Sequence, residues 1–136
     1  MIFHASNAEF AVFEDRPAWF SLTKHAAEGW HTACGRKNSI SYMCIYLGGH
    51  IANENETVGI AKLVWPDDDL IYSMYDESVG EFEVEDIRKF YRLLQANGFD
   101  AAYLTDYDPR DSDKDSRTLV VFHPNKHVNI LGKLKL

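Results

Sequence analysis

The segment from Val84 to Asp106 constrains the fold most, because it reads as an amphipathic helix, a glycine stop and an apolar strand in immediate succession. Val84, Ile87, Phe90, Tyr91 and Leu94 recur at steps of three and four residues, so they share one face of a helix spanning Val84 to Ala96. Glu83, Glu85 and Asp86 stand at the positive end of that helix, and Gly98 is placed to close it. Ala101 to Thr105 then reads as a strand that carries Asp106 at its tip. A helix feeding a carboxyl-terminal cluster of strands (Thr118 to Phe122, the turn His123 to Lys126, then Val128 to Leu131) predicts an α+β fold with a split, mainly antiparallel sheet.

The amino-terminal half is patterned less evenly. Met1 to His4 reads as a short strand, Ser6-Asn7 as a turn, and Phe10, Val12 and Phe13 as a small apolar group. Ala18 to Leu22 is a short aromatic strand, after which Thr23 is placed to cap a helix reaching Thr32 or Cys34, with Ala26, Ala27 and Trp30 on one face. Gly35 to Asn38 reads as a flexible stretch. From Ser39 to Leu47 the alternation of Ile40, Tyr42, Cys44 and Tyr46 predicts a strand that Gly48-Gly49 ends. Val58 to Trp65 reads as a further strand, and the polar run His50 to Glu56 as a turn or the start of a short helix. Leu70 to Tyr75, beyond Pro66 and the Asp67-Asp68-Asp69 triplet, reads as a strand or an active-site loop.

With 136 residues, the chain is expected to form one domain, residues 1–136, around one core. A net charge of -7 disfavours direct binding of nucleic acid, which runs on clustered Lys and Arg, and leaves a basic protein as the more natural partner. Cys34 and Cys44 are too few for a disulfide framework or a four-sulfur zinc site, and they read as free thiols in a reducing compartment. No basic region leads into a long apolar run, and no run reaches bilayer length, so the expectation is a cytosolic protein without a membrane partner.

Chemistry concentrates in three blocks. Ile2-Phe3-His4-Ala5-Ser6 opens a strand directly into a His-x-Ser turn. Trp19-Phe20-Ser21, followed by Ala26 and Trp30, places aromatic rings on a strand and the helix behind it. Gly98-Phe99-Asp100-Ala101-Ala102-Tyr103-Leu104-Thr105-Asp106 delivers a carboxylate on a rigid element, with Asp108 as its rival because alternate strand residues share a face. Metal chemistry is not expected. The six histidines show no zinc spacing, and in the acidic run Asp111 to Asp115 a calcium loop would need glycine where Ser116 stands and glutamate where Phe122 stands.

In this order the three blocks resemble the ADP-ribosyltransferase superfamily, in its subgroup with a His, aromatic, acidic triad, and most resemble small phage-encoded anti-CRISPR ADP-ribosyltransferases. The resemblance spans nearly the whole chain except His50 to Glu81. It implies NAD as cosubstrate, with His4 on the adenosine ribose and the backbone of Ala5 on the nicotinamide carboxamide. Phe20 and Trp30 would wall the nicotinamide, as an aromatic face suits a flat cation. Ser6 and Ser21 would brace the pocket, and Asp106 would be the catalytic carboxylate. The family favours tyrosine at the aromatic position, where Tyr42 is the nearest, and glutamate at the acid. The implied activity is mono-ADP-ribosylation of a protein side chain by a phage, prophage or toxin protein, the acceptor being a host defence (CRISPR) complex that binds nucleic acid. Two alternatives stay open: a toxin-like NAD hydrolase, and a catalytically inactive acidic binding protein on the same fold.

Overall fold

The computed structural model describes residues 1–24, 26–27, 40–66, 84–108 and 111–135; of residues 84, 105–108, 111–117 and 135 it describes the backbone. In chain order the elements are β1 (Ile2–Ser6), β2 (Ala18–Ser21), β3 (Ile40–Tyr46), β4 (Ile51–Ala52), α1 (Glu54–Val64), α2 (Val84–Ala96), β5 (Ala101–Asp108), β6 (Asp111–Val121), α3 (Pro124–His127) and β7 (Val128–Lys135). The strands form a seven-stranded sheet in the order β4-β5-β6-β2-β1-β3-β7. Every pairing is antiparallel except the short parallel contact of β4 with β5. The α+β class and the mainly antiparallel sheet therefore hold.

Both faces of the sheet carry a core, which follows from the period-two alternation of each strand. On one face Ile2, Phe20, Ile40, Tyr42, Cys44, Leu119 and Val121 are buried with Phe13 from the segment after β1. On the other, Ala102, Leu104, Val120 and Phe122 meet Ala61 and Trp65 near the end of α1, and Ile87, Phe90, Tyr91 and Leu94 of α2. The stripe expected on the helix Val84 to Ala96 thus faces the sheet, apart from Val84, whose side chain lies outside the described residues. Burying one such large side chain is worth about 1.5–3 kcal/mol, so α2 is held mainly by this seam. Gly98 ends it at φ +89, with the Phe99 amide donating to the Leu94 carbonyl at 3.2 Å.

Several expectations need correction. Val58 to Trp65 is not a strand, because the chain is helical from Glu54 to Val64. Its start is set by a capping box: Asn53 accepts from the Glu56 amide at 2.8 Å while Glu56 accepts from the Asn53 amide at 3.2 Å. That local closure, with Thr57 and Ala61 buried one turn apart, outweighs the strand preference of Val58 and Ile60. β1 runs through Ala5 and Ser6 before the chain turns, β5 runs past Asp106 to Asp108, and the acidic run Asp111 to Asp115 belongs to β6. The expected turn at His123 to Lys126 is a single helical turn, Pro124–His127, and β7 extends four residues beyond Leu131 to Lys135.

Thr23 does cap a helical turn, its Oγ1 accepting from the Ala26 amide at 3.1 Å. The rest of that expected helix, Trp30 included, lies outside the described residues, as do Gly35 to Asn38 and Leu70 to Tyr75. No helix among the described residues is long and apolar enough to cross a membrane.

Candidate functional site

His4 is oriented by the backbone of the neighbouring strand. Its Nδ1 lies 2.7 Å from the Trp19 carbonyl oxygen. A carbonyl only accepts, so Nδ1 carries the proton, and in the neutral ring Nε2 holds the lone pair. The ring sits inside an aromatic cluster, with centroid distances of 5.4 Å to Phe13 and 5.5 Å to Phe20, and 6.3 and 6.4 Å to Phe10 and Tyr42.

The wall over His4 comes from residues 7–17, a strap of turns and bends between β1 and β2. Phe10 stacks on Tyr42 at 4.3 Å with an 11° interplanar angle. The Tyr42 hydroxyl donates to the Ala8 carbonyl at 2.8 Å and accepts from the Phe10 amide at 3.0 Å. A buried tyrosine thus ties an irregular segment to the sheet, satisfying polar groups that no strand partner would meet. Ser6 accepts from the Ala8 amide at 3.1 Å and turns the chain into the strap.

Between strap, sheet end and α2 lies a cleft of about 790 Å³ lined by His4, Ser6, Phe10, Phe13 and Trp19, by Arg16 of the strap, and by Arg88 and Tyr91 of α2. Such a volume suits a small-molecule ligand. Arg16 pairs with Glu14 at 3.1 Å and Arg88 with Glu85 at 3.0 Å. Both pairs are solvent-exposed and worth at most about 1 kcal/mol, so an anionic ligand can compete for either guanidinium. Glu9 and Glu14 add carboxylates to the same lining.

The sheet divides the residues singled out from the sequence. His4, Ser6 and Phe20 fall on the face of the aromatic cluster. Ala5 and Ser21 alternate onto the opposite face, and the register position of Asp106 matches that of Ala102 and Leu104 there. His4 is level with Phe20, and through Leu119 with Tyr103, so Asp106 lies three residues further along β5 and three strands across. At about 4.8 Å per strand and 3.4 Å per residue, the two backbone positions are on the order of 15–18 Å apart. Asp106 pairs with Ser116, and Asp108 pairs with Asp111 across a register shift.

Phe20 is 1% exposed, beneath His4 and Phe13, so its ring supports the cleft from below and does not form an open wall. Ser21 is buried on the far face beside Thr118. Ala5 is held in the ladder opposite Ser41. The strap aromatics, Arg16, Arg88 and Tyr91 were not legible as site residues. Phe10 and Phe13 were visible only as apolar positions and Tyr91 only as part of the helix periodicity, and Arg88 was not singled out.

Among the described residues, no three His, Cys, Asp or Glu side chains converge as a metal site. The buried Cys44 thiol is pushed up to about 12 by desolvation, so it is held as a protonated, unreactive group in the core. Tyr46 is likewise raised to about 12, first by burial and then by the charge of Asp100 and by Tyr103.

No family model matches the chain, and no curated protein or solved structure matches it either.

Proposed function

We propose that this protein is an NAD-dependent mono-ADP-ribosyltransferase acting on a protein side chain, with the cleft beside His4 as its NAD site. The observation that carries the reading is the His4 imidazole, fixed by the Trp19 carbonyl inside an aromatic cleft that also offers two arginines. NAD asks for those features: aromatic surface for its flat rings and cations for its diphosphate. The order of the His4, Phe20 and Asp106 blocks, similar to the ADP-ribosyltransferase superfamily, supplies the reaction class.

In that reaction the bond between nicotinamide nitrogen and ribose C1′ breaks, and the nitrogen keeps the electron pair. The pyridinium therefore leaves as neutral nicotinamide and needs no general acid. Positive charge spreads over the ribose, and a carboxylate placed beside it lowers the barrier. Asp106 is assigned that role. A nucleophile on the acceptor protein then bonds to C1′ and releases its proton. A host defence complex is the acceptor class that the resemblance implies, and an acidic chain suits its basic surface.

The separation of His4 from Asp106 across the sheet favours a second reading, in which the protein binds a nucleotide or a basic partner and transfers nothing. The deciding experiment measures nicotinamide release and NAD binding by wild type, His4→Ala and Asp106→Ala, each with and without a cell lysate as acceptor source. Release that needs both residues and rises with lysate supports the transferase. Release that ignores lysate indicates a hydrolase. NAD binding lost in His4→Ala, with no release by any protein, supports the binding module.

A further inference from the structure

We propose that His123 is a proton-operated latch that ties the strap 7–17 to α2 and so governs access to the cleft beside His4. The ring stands between two acceptors contributed by distant parts of the chain. Its Nδ1 lies 2.7 Å from Asp15 Oδ1 in the strap, and its Nε2 lies 2.9 Å from Gln95 Oε1 in α2. The orientation of the Gln95 amide is set independently, because its Nε2 donates to the Tyr91 carbonyl at 3.2 Å. Its oxygen must then face His123. A carboxylate and an amide oxygen only accept, so both ring nitrogens must donate, and the geometry is that of an imidazolium.

The latch acts on the end of the strap beyond Phe13. Up to that point the strap is anchored by Phe10, by the Tyr42 hydroxyl and by Phe13, which is buried against Phe20. In its second half the Arg16 amide bonds to the Glu14 carbonyl, and Arg16 pairs with the Glu14 side chain, contacts internal to the strap. The tie from that half to α2 runs through Asp15, His123 and Gln95. Pro124, next to His123, lines the cleft together with Glu14, Arg16, Arg88 and Tyr91, so the latch and the cleft share walls.

The charged groups around the ring fix the direction of the response. Asp15 faces it from the strap, with Glu14 and Arg16 on either side in sequence. Lys126 of α3 acts on the same carboxylate, while α2 presents the neutral Gln95 amide, with Arg88 further along the helix. When the ring gives up one proton, the remaining N–H stays with the charged Asp15, and a lone pair then meets the Gln95 oxygen. The link to α2 is lost and the Asp15 contact gives up its charge assistance, so the strap is held more loosely. Raising the pH should loosen the strap over the cleft, and protonating Asp15 at low pH should weaken the same contact from its other side.

That the cleft admits NAD rests on the preceding reading, whereas the latch does not, so the test reads the strap without ligand. Hydrogen-exchange protection factors of strap amides from Phe10 to Arg16 are compared at about pH 5.5 and about pH 8 in wild type, His123→Ala and Asp15→Asn. Protection in wild type should fall at least about threefold at the higher pH, and both variants should be low and flat across the same range. Wild-type protection that ignores pH, or variants that follow wild type, would overturn the latch. NAD titrations at the two pH values separate the claims: strap loosening without NAD binding at either pH keeps the latch and sinks the NAD reading.

Discussion

The His4 Nδ1 and the Trp19 carbonyl oxygen, 15 residues apart in sequence, meet at 2.7 Å and fix the orientation of the one imidazole in the aromatic cluster. Strand pairing brings them together, since β1 and β2 run antiparallel with Phe3 opposite Ser21. In the neutral ring the proton is therefore on Nδ1, which nitrogen-15 shifts of the imidazole would report. His4→Asn, whose amide nitrogen mimics Nδ1, should retain stability better than His4→Leu. The leucine leaves the Trp19 carbonyl without this donor and should cost about 1–3 kcal/mol in urea unfolding.

Tyr42→Phe should destabilise the protein by about 1–3 kcal/mol, although it removes one oxygen and leaves the ring packing intact. The hydroxyl serves the Ala8 carbonyl and the Phe10 amide at once, and the variant strands both. Hydrogen exchange at the Phe10 amide should rise more than global stability predicts, because the loss is local to the strap. Unchanged exchange at Phe10 would show that the strap is held by its aromatic rings alone.

Gly98→Ala and Gly48→Ala should differ in kind. At Gly98 an added Cβ meets nothing within 4 Å, so the cost is the φ of +89, about 1 kcal/mol. At Gly48 the Cβ would collide with the Tyr46 hydroxyl and ring, which lie directly over the glycine. The Gly48 variant should perturb the Tyr46 ring resonances, and the Gly98 variant should leave them in place.

Asp15 is held below its ordinary value of 3.8, first by its hydrogen bond to His123 and then by the charges of His123 and Lys126. A depressed carboxylate contributes stability that is present above the unfolded value and is lost as pH falls through the folded one. The stability difference between wild type and Asp15→Asn should therefore shrink as pH drops below about 3.8. A difference that grows on acidification would contradict the contact.

Cys44 should resist thiol-specific alkylation in the folded protein near neutral pH, since its thiol is buried and raised to about 12. A Cys34→Ser variant isolates the signal, and labelling should appear only as denaturant unfolds the chain. Rapid native labelling would place Cys44 outside the core.

Local pattern determined the parts of this protein that local physics controls. The three- and four-residue steps of Ile87, Phe90, Tyr91 and Leu94 and the stop at Gly98 specify α2, and alternation through Tyr42 and Cys44 specifies β3. Where local terms compete, as in Glu54 to Val64, an Asn53 and Glu56 capping box turned β-branched residues into a helix. The site was legible only in part. That His4 and Ser6 share a cleft with Phe10, Arg16, Arg88 and Tyr91 depends on a strap crossing the sheet and on α2 docking beside it, contacts between segments far apart in the chain. Register decided the rest: in a pleated strand a shift of one residue exchanges the faces, so the relative register of the His4 and Asp106 backbone positions, three strands apart, followed from tertiary pairing and not from their order in the sequence.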